Sequence, residues 1–206
     1  MANVPQTCEV LSERMQVPLR TLLHISRKLG EAGYLPRGPR GKNAPDLEWH
    51  HVAKIILACM AIADGIGATS VRVVQSLERV LQLKGKAVFK AKRNKKVRDI
   101  LVTPEGFFAD ALTFILTKMD AVKRREIGVG PMWDWSPDFT EIGLDFQADA
   151  AYGWITQRIW GQRAEVKYEF AYVDHPLPRL TSGLIRSSSV TDHLLWEVVN
   201  DILLIK

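Results

Sequence analysis

The sequence predicts an α+β protein, with a mainly helical N-terminal half and a small antiparallel β-meander covered by helices in the C-terminal half. Three observations lead there. Apolar residues recur at spacings of three and four through roughly the first 83 positions, then alternate strictly beyond position 140. The charge changes sign along the chain: the first 125 residues carry 22 Lys and Arg against 11 Asp and Glu, and the last 81 carry 6 against 12. A basic half of this kind points to a polyanion as its partner. With 206 residues and a 47% hydrophobic share, the chain has material for two small cores. The expected division is residues 1–83, a basic linker over 84–102, and residues 103–206.

Taking the elements in order, Thr7 is placed to cap a short helix through Arg14, with Val10, Leu11 and Met15 on one face. A turn follows. Pro18 is tolerated where a helix opens, so it marks the start of the next one, Leu19 to Ala32, and Gly33 supplies the stop. In this second helix Leu22, Ile25 and Leu29 form a buried stripe, leaving Arg20, Thr21, His24, Arg27 and Lys28 outward on a donor-rich face without an acid. Leu11, Ser12, Met15, Val17, Leu22 and Ile25 fall where a helix-turn-helix needs its buried and small positions. Gln16 stands where such turns commonly hold glycine. A helix entering the major groove needs this arrangement, because its N-terminal side chains reach base edges while flanking cations hold phosphates. A basic, merely solvated face on a core-packing helix is the competing reading of the same residues.

The stretch Tyr34 to Pro45 holds three cations, Arg37, Arg40 and Lys42, among prolines and glycines, as suits an exposed loop or short hairpin that approaches phosphate. A helix is expected from Leu47 to Asp64 with Val52, Ile55, Ile56 and Cys59 buried, and another, capped by Thr69 or Ser70, to about Leu83.

The run Ser12-Glu13-Arg14-Met15-Gln16-Val17-Pro18-Leu19-Arg20-Thr21-Leu22, then Leu29-Gly30-Glu31-Ala32-Gly33-Tyr34-Leu35-Pro36, a basic wing and two more helices, resembles the winged-helix DNA-binding domains of MerR-type regulators and phage excisionase-like proteins. The likeness covers roughly the first 80 residues. It implies a winged helix-turn-helix domain whose second helix lies in the major groove through Arg20, Thr21, His24, Arg27 and Lys28. It also implies that Arg37, Arg40 and Lys42 are wing cations. No cysteine cluster for a metal effector accompanies it, so neither a cofactor nor a metal is expected.

Lys84 to Arg98 holds eight cations and no acid, a second electrostatic footprint in which Lys90, Lys92, Arg93, Lys95 and Lys96 are candidate phosphate contacts. Thr103-Pro104-Glu105 predicts a helix from Pro104 to about Asp120, with Phe107, Phe108, Leu112, Ile115, Leu116 and Met119 on its apolar face. Strands are expected over Glu141 to Gln147, Tyr152 to Trp160 and Glu165 to Tyr172, followed by a final helix capped by Ser189 or Thr191 and running through Leu204. This acidic half is expected to serve assembly or to bind a protein partner.

Enzymatic readings are set aside. Asp134, Asp138, Glu141, Asp145 and Asp149 would line up for magnesium only on a helix, which Pro137, Gly143 and the alternation of Ile142, Leu144 and Phe146 oppose. His50 and His51 are adjacent, hence splayed on a helix, and suit a surface or capping role. Cys8 and Cys59 lack further ligands at metal spacing and fit a reduced, cytoplasmic setting. Ile55 to Ala63, the longest apolar stretch, is far below a membrane span, and Met1 to Arg14 has no secretory pattern. The expectation is a sequence-specific double-stranded DNA-binding transcriptional regulator, a repressor or activator of bacterial or phage type. It would act as a homo-oligomer, a dimer by preference, because one recognition helix reads few base pairs. The alternatives are a phage small terminase subunit for DNA packaging, or a protein-interaction module with incidental DNA affinity whose acidic domain binds through Trp133, Trp135, Trp154 and Trp160.

Overall fold

Asn3 opens the first helix. Its side-chain oxygen accepts from the Gln6 N–H at 3.2 Å, and the Gln6 side chain accepts from the Asn3 N–H at 3.1 Å, a reciprocal cap with Pro5 in the first turn. The computed structural model describes residues 2–38, 44–61, 70–89, 106–123, 139–147, 150–159, 164–171 and 186–205. Helix α1 spans Val4–Met15. It therefore starts a turn earlier than Thr7 suggested, and Thr7 is buried within it, because the Asn3 box satisfies the first N–H groups.

Helix α2, Leu19–Glu31, ends as Gly33 requires. Gly33 adopts φ +86°, its N–H bonds Gly30 O at 3.1 Å, and the Tyr34 N–H bonds Leu29 O at 2.9 Å, the paired bonds of a Schellman stop. Helix α3, Trp49–Ala61, buries Trp49, Val52, Ala53, Ile55, Ile56, Leu57, Ala58 and Met60, so it is enclosed nearly all round. Helix α4, Ser70–Leu81, packs on α2 and α3.

Lys84–Phe89, expected within a linker, forms strand β1 instead. Helix α5 follows over Phe108–Lys123. Its start lies later than the proline suggested: Gly85 N–H bonds Gly106 O and Phe108 N–H bonds Leu83 O, both at 3.0 Å, so Gly106 and Phe107 are engaged with the start of β1. Thr103, Pro104 and Glu105 lie outside the described residues. Strands β2 (Phe139–Gln147), β3 (Ala150–Ile159) and β4 (Ala164–Ala171) form the expected antiparallel meander. Arg186–Thr191 adds an unexpected strand β5, after which helix α6 covers Asp192–Leu204 with Thr191 at its N-cap position.

All pairings are antiparallel, in the order β1-β4-β3-β2-β5. Ile142 stands opposite both Ile155 and Val190, and Gly153 stands opposite both Leu144 and Phe170. The Phe108 ring of α5 seats over Gly153, where a Cβ would come within 3.0 Å of it, and meets the Phe170 ring at 5.0 Å between centroids. The next residues along the strands point to the other face, where Trp154 lies back over Gly143; a Cβ there would be 2.1 Å from the indole. Trp133, Trp135 and Trp160 lie outside the described residues.

The two ends of the chain meet. Arg14, in the last turn of α1, reaches Asp201 at 2.7 Å and Glu197 at 3.0 Å on α6. Ser188 Oγ of β5 donates to Met60 O of α3 at 3.0 Å, and Trp49 Nε1 donates to Asp120 of α5 at 2.8 Å. The buried apolar side chains form one cluster from Ala2 through Ile202, so the described helices and the sheet share a core.

Candidate nucleic-acid interface

Three residues, Gln16, Val17 and Pro18, separate α1 from α2. Gln16 takes the left-handed conformation, φ 56° and ψ 34°, at the position where a glycine was the natural expectation. Two local bonds hold it there: Gln16 Nε2 donates to Glu13 O at 2.7 Å, and Ser12 Oγ donates to Val17 O at 2.7 Å. Ser12 thus pins the turn with its hydroxyl as well as sparing room. Left-handed backbone costs a side-chain-bearing residue about 1–2 kcal/mol, against about 0.5–1 kcal/mol of extra chain entropy for glycine. Gln16→Gly is accordingly expected to stabilise the fold by roughly 0.5–1 kcal/mol, read as a higher urea midpoint at unchanged slope. A lower midpoint would show that the Gln16 side-chain bond outweighs the strain.

Helix α2 buries Leu22, Ile25, Ser26 and Leu29 against α1, α3 and α4. Its other side carries the candidate contacts. Arg20 and Arg27 are exposed, and Thr21 and His24 are half-exposed. Leu23 belongs to this side too, at 39% exposure. Its signal in the sequence is its spacing, three residues after Arg20 and four before Arg27, since its side chain has no donor of its own.

Two cations of the expected set are engaged elsewhere. Lys28 Nζ bonds Glu31 Oε2 at 2.5 Å and its side chain is only 17% exposed, so its charge is spent on its own helix. Glu31 also approaches Arg27 at 3.8 Å, and the Lys28 bond is the main reason the Glu31 carboxyl titrates below its usual range. The face therefore does carry an acid, at its C-terminal end, where the helical spacing brings Glu31 back beside Arg27 and Lys28. Arg37 donates from Nε to Gly30 O at 3.1 Å and from Nη2 to Glu31 O at 2.6 Å. It caps the last carbonyls of α2, a favourable place for a cation.

Tyr34–Gly38 and Ala44–Glu48 form no strand, and Leu47 N–H bonds Ala2 O at 2.9 Å. Arg40 and Lys42 lie outside the described residues, as do Lys90, Lys92, Arg93, Lys95 and Lys96. The structure therefore brings together Arg20, Thr21, Leu23, His24 and Arg27 on one helix side. His24 Nδ1 and Arg27 Nη2 stand 3.4 Å apart at its surface.

The remaining chemistry-bearing residues lie apart from this side of α2. Glu141 and Asp145 lie on strand β2, which removes the helical alignment that a carboxylate-held magnesium required, while Asp134, Asp138 and Asp149 lie outside the described residues. His51 Nδ1 accepts from the Glu48 N–H at 3.2 Å where α3 begins, the expected capping role, and burial lowers its pKa. His50 pairs with Glu48 at 3.2 Å. Burial pushes the Cys59 thiol up to about 11 and raises that of Cys8, which contacts Ser26 Oγ at 3.2 Å, so neither is poised as a thiolate nucleophile. His193 is exposed near Glu197, and His175 lies outside the described residues.

No protein-family model, curated protein or solved structure matches the chain. Among the described residues, no helix is long and apolar enough to cross a membrane.

Proposed function

We propose that this chain binds double-stranded DNA in a sequence-dependent manner, inserting α2 into the major groove, and regulates transcription as a homo-oligomer. The observation that carries this reading is the α1–turn–α2 unit: a three-residue turn with Gln16 left-handed, Ser12 bonded across it, and an α2 whose apolar side is fully packed while Arg20, Thr21, His24 and Arg27 face outward. Arg20 and Thr21 stand in the first turn of α2, the end that reaches base edges in such units. Thr21 and Leu22 N–H already bond Pro18 O, at 2.8 and 3.2 Å, and the N–H groups of Leu19 and Arg20 at the very start of α2 suit a phosphate oxygen. Glu9 and Glu13 on α1 are exposed, so of the two helices of the unit it is α2 that carries the more cationic outer side. The excess of Lys and Arg in the first 125 residues supplies the sequence-independent attraction that brings a duplex to the protein. Arg40, Lys42 and the run from Lys90 to Lys96 would add phosphate contacts to the same duplex.

The test is selection of duplexes from a random library by the full-length protein, followed by competition of the selected duplex against bulk DNA at fixed salt. A preference of about a thousandfold or more is expected of a regulator. Equal affinity for selected and bulk DNA would remove sequence-dependent recognition and with it the regulatory role.

A further inference from the structure

Leu23 is the large exposed apolar side chain of α2, and it stands between its two exposed arginines. Positions 20, 23, 24 and 27 fall on one helical stripe, so Arg20, Leu23, His24 and Arg27 meet any surface laid along that side together. The neighbouring Leu22 is fully buried and supplies the core contact of this turn, whereas Leu23 keeps 39% of its surface open on the side that carries Arg20 and Arg27. In the major groove one base edge alone offers an apolar partner: the 5-methyl group of thymine.

We infer that Leu23 reads a thymine methyl, flanked by base pairs read by Arg20 on one side and Arg27 on the other. From Arg20 to Arg27 the helix rises about 10.5 Å, at about 1.5 Å per residue. That is about three base-pair steps of 3.4 Å, and Leu23 lies a little more than one step beyond Arg20. Arginine pairs best with the O6 and N7 acceptors of guanine, so the predicted element is a thymine with guanine contacts on both sides. A donor-only stripe would tolerate any acceptor-bearing base at its centre. An isobutyl group desolvates the neighbouring edge and favours the one base pair that offers a methyl.

The inference rests on the major-groove reading of α2, and its test separates the two. Duplexes selected from a random library by the wild-type chain are remade with deoxyuridine replacing each thymine in turn, which deletes the methyl and keeps the base pairing. Wild-type affinity is expected to fall about fourfold at one central position, the worth of one buried methyl. Leu23→Ala, at a site 39% exposed, is expected to stay folded with a modest fall in thermal midpoint and to bind the thymine and deoxyuridine duplexes equally. A uniform response to deoxyuridine, a central element without thymine, or a methyl effect that persists in Leu23→Ala would each overturn the role of Leu23. If Arg20→Ala still abolishes selectivity in those cases, groove reading by α2 stands without it. If neither Arg20→Ala nor Leu23→Ala alters selectivity, α2 is not the reading element and both statements fall.

Discussion

Replacing Arg20 and Arg27 together with alanine is expected to abolish the preference for a selected duplex while leaving much of the attraction to bulk DNA. A bidentate arginine–guanine contact discriminates by about 1–3 kcal/mol, so two of them correspond to a loss of selectivity between about 30-fold and 10⁴-fold. The fold has little stake in either side chain. Both are exposed, and Arg27 holds only a 3.8 Å approach to Glu31 and a 3.4 Å contact with His24. Bulk binding draws on all cations near the duplex, and removing two flattens its salt dependence by about two phosphate contacts. Parallel titrations of selected and bulk duplexes over a salt series separate these effects. An equal loss on both would reduce α2 to a charged surface. Lysine at both positions sharpens the comparison, since it restores charge without the guanidinium fork and should recover bulk binding alone.

The largest effect on stability is expected at Phe108. Its ring is fully buried where α5 begins, seated on the bare backbone of Gly153 and against Phe170. Truncating a buried phenylalanine to alanine costs about 3–5 kcal/mol, a large part of the 5–15 kcal/mol that typically separates folded from unfolded chains. For a chain of this length that corresponds to a fall in thermal midpoint of roughly 6–20 °C. Gly153→Ala probes the same seam from the sheet side. Its Cβ would meet the fully buried Phe108 ring at 3.0 Å, itself held against Phe170, so it should also lower the stability, by about 1–3 kcal/mol. Calorimetry of Phe108→Ala, Gly153→Ala and the pair together measures the coupling. A Phe108→Ala protein that melts within 2 °C of wild type would mean that the Phe108 ring does not anchor the sheet.

The elements that the sequence made legible are those whose apolar residues keep one period. Leu22, Ile25 and Leu29 define α2, and the alternation of Ile142 and Leu144 defines β2, because each buries a single stripe or face. Two strands were hidden by their side chains. Lys84 and Lys86 merge β1 into a charge run, and Ser187, Ser188 and Ser189 make β5 read as a loop. Both are edge strands, and lysine and polar residues are what protects such an edge from pairing with other chains. At the candidate interface, Arg20 and Arg27 followed from helical spacing. The pairing of Lys28 with Glu31 follows from the same spacing, three residues apart on one helix, whereas the engagement of Arg37 by the final carbonyls of α2 does not, since it depends on how the chain folds back after Gly33. Leu23 is legible in position but not in kind, because an isobutyl group carries neither charge nor hydrogen-bond donor to mark it on a donor-rich face.

The ion pairs between Arg14 and α6 have a temporal consequence. Arg14 and Asp201 are separated by 187 positions. At translation rates of about 5–20 residues per second, the carboxylates leave the ribosome roughly 10–40 s after the arginine they receive. Throughout that interval the nascent N-terminal helices travel with the α6-facing side of α1 uncovered. That side is covered only after α6 has itself been made, so the packing of α1 is finished late, by a segment from the far end of the described structure.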